Sequence, residues 1–146
     1  MTNKRIALSF FLTLCLAVTA LANDGWNKNS EYNRLYNPKT VVTLRGEVRS
    51  IETDVQPLPG MAPGVVAVVD TEDGSMNVHL GPKWFTKFYK QKWDLKAGDK
   101  VEITGSVLNY QGSQTMILQS GKKGDLEMVV RGRDGSPVWD PEVKGF

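Results

Sequence analysis

The stretch Thr40–Asp54, TVVTLRGEVRSIETD, decides the fold. Val42, Leu44, Gly46 and Val48 share one face, and Thr43, Arg45, Glu47 and Arg49 share the other. Alternation with a period of two marks a half-buried strand. Gly46 in mid-strand predicts a bulge or sharp bend, as where a small barrel turns a corner. The run is long enough for one strand to serve two sheets.

Downstream, Gln56–Gly64 (QPLPGMAPG) is a loop with three prolines and two glycines. Val65–Thr71 (VVAVVDT) is a short apolar run too rich in valine for a helix, hence a buried strand. Asp73-Gly74 supplies the positive φ of a hairpin turn. Ser75–Leu80 returns as its partner, with Met76, Val78 and Leu80 on one face and Asn77 and His79 on the other. Gly81-Pro82 is expected to break that strand and open a helix, since proline is tolerated at the first helical position. Trp84, Phe85, Phe88 and Tyr89 then recur at helical spacing, with Lys83, Lys87 and Lys90 as a separate basic stripe. The pattern predicts Trp84 and Phe88 inward and the three lysines outward. Lys100–Leu108 alternates again around a second in-strand glycine, Gly105, and Gln114–Ser120 follows. Asp125–Arg131 and Pro137–Trp139 read as a short terminal hairpin around Asp134-Gly135.

Upstream, residues 23–39 form a polar lead-in with scattered Trp26, Tyr32, Leu35 and Tyr36, expected to be irregular apart from a helical turn near Tyr32–Tyr36. Pro38 should end any helix there, because the residue before a proline avoids the α region. Residues 1–22 have the pattern of a secretory signal: basic Lys4 and Arg5, the uncharged apolar run Ile6–Thr19, then Ala20-Leu21-Ala22 as a cleavage site. Cys15 lies within the apolar run behind Leu14, where a lipid-modified cysteine would need a small residue. Cleavage after Ala22 would remove 22 of 146 residues and two of the 18 basic residues, leaving 124 residues with 16 basic and 16 acidic groups and no cysteine. The expected product is a periplasmic or secreted protein with no transmembrane segment after cleavage. It is electrically neutral, so net charge makes no case for nucleic acid.

The element order is three strands, a helix, two strands and a C-terminal extension. This is the order of the OB-fold, a mainly β, five-stranded Greek-key barrel with one helix between strands 3 and 4. The expected organisation is a signal at 1–22, the lead-in at 23–39, the barrel at 40–121 and an extension with a short hairpin at 122–146. Gly60-Met61, the junction Val78-His79-Leu80-Gly81-Pro82 with Trp84, and Arg133-Asp134-Gly135-Ser136-Pro137-Val138-Trp139 carry a closer likeness. On these residues the chain resembles small exported bacterial OB-fold proteins, either the stress-associated BOF type or the domain of some magnetosome-associated proteins. The resemblance implies a periplasmic binding or interaction module. Exported OB-fold haem chaperones attach haem through a His-x-x-x-Tyr motif. Here Lys83 stands four residues after His79, in the place of that tyrosine.

One Cys and one His exclude a zinc cluster of such ligands, a disulfide framework and a CxxCH haem attachment. No P-loop, GxSxG or HExxH is present, and no carboxylate pair stands out, so no enzyme activity is expected. Met61 and Met76 are two scattered soft donors, read as core or loop residues rather than copper ligands. Residues 82–100 hold six lysines and two acids. Interleaved with aromatics, this composition suits a single-strand nucleic-acid binder, but it also suits a helix that plugs a barrel and shows its lysines to solvent. Export disfavours nucleic acid and favours another anion or a protein partner. The candidate surface is His79, Lys83, Trp84, Lys87, Tyr89 and Lys90. The leading expectation is a non-catalytic module for a protein partner or anionic ligand, with no cofactor. The alternative is a haem- or metal-handling protein acting through His79, which strand parity places outside the barrel wall, neutral beside a helix N-terminus.

Overall fold

A computed structural model describes residues 24–87 and 94–143. Six strands appear: β1 (Val41–Val55), β2 (Gly64–Thr71), β3 (Gly74–Pro82), β4 (Lys100–Tyr110), β5 (Ser113–Lys123) and β6 (Leu126–Val129). Residues 83–87 are helical. The hydrogen-bonded order is β3-β2-β1-β4-β5-β6, and a parallel pairing of β3 with β5 closes the first five strands into a barrel. One helical segment leaves β3 on the way to β4, as the element order predicts. The chain therefore has the OB-like barrel architecture.

The long first strand serves two neighbours. Val41–Glu47 pairs with β4, and Gly46–Val55 pairs with β2. Gly46 sits at the handover, and its role differs from the expected bend. The irregularities of β1 against β2 fall farther on, between Val48 and Ser50 and between Glu52 and Val55. What Gly46 provides is room: a Cβ there would collide with the Asp70 carbonyl oxygen and sit 2.7 Å from Val69 Cγ1. Gly105 does the same on β4, where a Cβ would collide with the Ile117 carbonyl oxygen beside a genuine bulge between Thr104 and Gly105.

One further expectation is corrected and two are refined. Gly81-Pro82 does not break β3; Val65 pairs with Gly81 and Gly64 with Pro82. Gly81 accepts a φ of 141°, and proline needs no ladder donor at a strand end. A sixth strand folds back onto β5, from Ser120↔Val129 to Lys123↔Leu126, and beyond it the expected hairpin around Asp134-Gly135 is present, held by the Arg131↔Pro137 bridge, Val138 N to the Val130 carbonyl at 3.0 Å and Gly132 N to the Ser136 carbonyl at 2.9 Å. The lead-in contains two 3-10 turns, Asn33–Leu35 and Pro38–Thr40. Pro38 opens the second turn rather than only ending the first, with the Asn37 side chain accepting from Lys39 N at 2.9 Å.

Two cores lie back to back across the β3–β5 wall. The barrel interior is filled by Val48, Val65, Ala67, Val69, Met76, Val78, Leu80, Val101, Ile103, Met116 and Leu118, with Phe85, Met128 and Val130 at one end. Met76, Val78 and Leu80 thus take the inward face that alternation assigns them. Ile117, between two interior residues of β5, points the other way into a second core with Trp26, Tyr32, Tyr36 and Met61. Irregular in backbone, the lead-in is nevertheless a packed layer on the outside of the barrel.

Candidate functional site

The helical residues 83–87 begin where β3 ends, anchored by Lys83 N to the Pro63 carbonyl at 2.8 Å. Lys83 Nζ reaches Asp54 Oδ1 at 2.6 Å, which holds the Asp54 carboxyl below its ordinary range. Phe85, rather than the expected Trp84, turns into the barrel, and its ring lies 5.0 Å from that of Trp139. Trp84 is 44% exposed and donates its indole N–H to Asp24 Oδ2 at 3.0 Å. The indole needs a polar partner, which the outer side supplies and the aliphatic interior does not. Phe88, Tyr89, Lys90, Lys92 and Trp93 lie outside the described residues, so the predicted inward Phe88 and the candidate residues Tyr89 and Lys90 have no described position.

Beside this turn the barrel opens into a cavity of about 350 Å³. Its buried walls are Val65, Leu80, Phe85, Met128 and Val130, all apolar. Its exposed lining residues are Thr53, Lys87 and Asp94, all polar. Half-buried Lys83 and Thr86 complete the polar rim, and Ile51 and Leu95 the apolar sides. Lys83 and Lys87 therefore share one site, whereas Trp84 faces the lead-in.

His79 belongs to a different place. Parity puts it outside the barrel wall as expected, but the outside is not solvent there: His79 is 6% exposed. Its Nδ1 shares a 2.8 Å hydrogen bond with Tyr32 Oη, and the two rings stack at 5.8 Å. Tyr110 meets the imidazole edge-on at 6.4 Å. Arg131, 1% exposed, donates to the Leu118 carbonyl at 2.9 Å and to Asn33 Oδ1 at 3.4 Å, and lies 4.8 Å over the Trp139 ring. Burial, then the Arg131 charge, pushes the His79 pKa down to about 4, and burial pushes Tyr32 up to about 12. The ring is neutral as predicted, but the cause is desolvation and Arg131 rather than a helix N-terminus. Tyr32, Tyr110 and Arg131 were missed as partners of His79, and Trp139 as the ring beneath Arg131. The only signal available was three aromatics in a polar lead-in and an arginine followed by a tryptophan in the tail. Among the described residues, no group of three or more His, Cys, Asp or Glu could hold a metal ion, and no helix is long and apolar enough to cross a membrane.

A barrel closed by parallel β3–β5 pairing, with a helical segment between β3 and β4, defines a small OB-like β protein. Within that class, the chain belongs to the MamS/MamX magnetosome protein family, whose profile matches residues 40–128. Of the two groups resembled in sequence, this selects the magnetosome-associated one. Among solved structures, the chain is similar to a small single-stranded DNA-binding protein from Streptomyces coelicolor, with 14% identity over 58% of this chain and 91% of that one and a TM-score of 0.45. No curated protein matches the chain.

Proposed function

We propose that this protein is an exported, non-catalytic binding module that takes an anionic ligand at the mouth of its barrel, beside Lys83 and Lys87. The observation that carries this reading is the lysine-rimmed apolar cavity, the arrangement of a ligand pocket: apolar walls with a few polar groups at defined places. Its volume lies within the roughly 300–1,000 Å³ usual for small-molecule sites. The family supports a small interaction module. Export rests on the signal pattern of residues 1–22.

The reading in which His79 holds haem or a metal has less support. Tyr32 already occupies Nδ1, and the lead-in lies over the ring. A ligand at His79 would have to displace a packed layer.

Amide shift mapping tests the proposal with three anions: a polyglutamate peptide, a heparin fragment and phosphatidylglycerol vesicles. At least one should perturb amides 83–87, and Lys83→Gln/Lys87→Gln should abolish that response while leaving the melting temperature unchanged within error, as for surface substitutions. Perturbation confined to the β1–β4 face, or insensitive to the double substitution, would remove this mouth as the binding site.

A further inference from the structure

We propose that the cavity takes a free single-chain amphiphile: one unbranched aliphatic chain ending in an anionic head. This rests on the reading that the ligand enters at the barrel mouth, and it names the class of ligand.

The division of the lining carries the inference. Among the described residues, every buried one in the lining is apolar and every exposed one is polar. A sugar or a peptide backbone inserted here would leave its hydrogen-bonding groups unpaired against Leu80, Val130 and Met128. A hydrocarbon chain has none to leave. The size agrees. Water takes about 30 Å³ of liquid volume, so 350 Å³ accepts on the order of ten groups of that size, a medium-length chain of methylenes. Met128 adds an unbranched, adaptable wall that can conform to such a chain.

The sign of the head follows from the rim. Lys87 is exposed at the opening, and among the described residues it makes no ion pair, whereas Lys83 is held by Asp54. Residues 82–100, which contribute both Lys87 and Asp94 to the lining, carry six lysines against two acids, whereas the rest of residues 23–146 carries ten basic against fourteen acidic groups. An anionic head at Lys87 with its tail inward satisfies both parts of the cavity with one linear molecule.

Sodium decanoate titrated into protein labelled with carbon-13 methyl groups tests this. Saturable shifts are expected at the methyls of Leu80, Met128 and Val130, with none from acetate, which has the head without the tail. Lys87→Gln should weaken decanoate roughly two- to fivefold, the range for an exposed ion pair, and leave decanol binding unchanged. Leu95→Trp, on a half-buried wall, should remove the decanoate shifts without lowering the melting temperature. Phosphatidylglycerol vesicles should leave the three methyls unshifted, which separates a free amphiphile from a bilayer lipid. Absence of methyl shifts with decanoate would overturn the proposal, as would equal loss of decanol and decanoate in Lys87→Gln. Contacts from these methyls to the rings of Phe88 or Trp93 that persist under saturating decanoate would also overturn it, because the chain itself would then fill the space. If a polyglutamate peptide perturbs amides 83–87 while decanoate leaves the methyls silent, the amphiphile falls and the binding module stands. Silence with every anion would remove both.

Discussion

The barrel interior and the layer laid over its outer wall are built on opposite principles. Inside, the side chains are aliphatic or methionine, apart from Phe85 at one end, and come from alternate strand positions. Over the β3–β5 wall, the buried groups are Trp26, Tyr32 and Tyr36 with His79, Asn33 and Arg131, and each wall residue reaches the layer through a gap between strand neighbours that face inward. The interior gains its stability from burial alone. In the layer, aromatic bodies are buried while their polar tips must find partners. Trp26 Nε1 donates to the Ala62 carbonyl at 2.8 Å, Trp139 Nε1 to the Trp26 carbonyl at 2.7 Å, and Lys28 N to Asp140 Oδ2 at 2.8 Å. The layer joins lead-in, loop and tail, and most of its aromatic and charged members lie outside the family-matched residues 40–128. The family-matched barrel thus carries a polar-tipped cover built largely from residues outside the match, and that cover rather than the barrel decides what His79 can do.

If the cover is a true second core, truncating it should cost as much as truncating the interior. Trp26→Ala should lose about 3–5 kcal/mol, the range for a buried aromatic, and Leu118→Ala about 2–5 kcal/mol, both read by denaturant unfolding. A Trp26→Ala loss below about 1 kcal/mol would reduce the cover to a loose appendage.

The two regions should also differ in pH response. The folded pKa of His79, about 4, lies below the ordinary 6.5, so between these values the unfolded chain binds the proton that the folded chain excludes. Stability is therefore full above pH 6.5, falls as pH drops toward 4, and loses about 3 kcal/mol over that window. Melting curves of His79→Gln should lack this component, leaving the carboxylate losses that set in at lower pH. An identical pH slope in both proteins would show that the imidazole is not buried.

A purely steric defect belongs to the barrel alone. Gly46→Val should cost on the order of 1–3 kcal/mol through the collision with Asp70 and Val69, with no change in the pH slope. An unchanged melting temperature would mean that β1 and β2 can part there freely.

The finest comparison is between two tyrosines of the cover. Tyr32→Phe strands His79 Nδ1 without its partner and should cost about 1–3 kcal/mol. Tyr36 Oη is buried with no hydrogen-bond partner among the described residues, so Tyr36→Phe should be neutral or slightly stabilising. The reverse ranking in thermal melts would mean that the polar tips are arranged otherwise.

The interior was legible because its information is local. The apolar run Val65–Thr71 and the alternation in Ser75–Leu80 and Lys100–Leu108 locate strands to within a residue or two of the observed β2, β3 and β4, and the alternation picks the inward faces of the last two. The cover was not, because its turns of three residues are too short to show a period. Its decisive contacts also span 36, 47 and 112 residues, at Trp26–Ala62, Tyr32–His79 and Lys28–Asp140. Parity placed His79 on the correct side of the wall, but parity says nothing of what lies beyond it. At the mouth, Lys83 and Lys87 were legible as a pair at helical spacing, while the walls from β1, β2 and β6 meet only in the folded chain.

The central claim is that the lead-in seals His79 from solvent and ligand, leaving the barrel mouth as the binding end. The most direct measurement follows the ring nitrogen shifts of His79 in nitrogen-15-labelled protein from pH 8 downward. The account predicts a neutral ring down to about pH 5, with protonation near pH 4 accompanied by loss of the Tyr32 contact. A freely reversible titration with a midpoint near 6.5 in a chain that stays folded would contradict it and reopen His79 as a ligand.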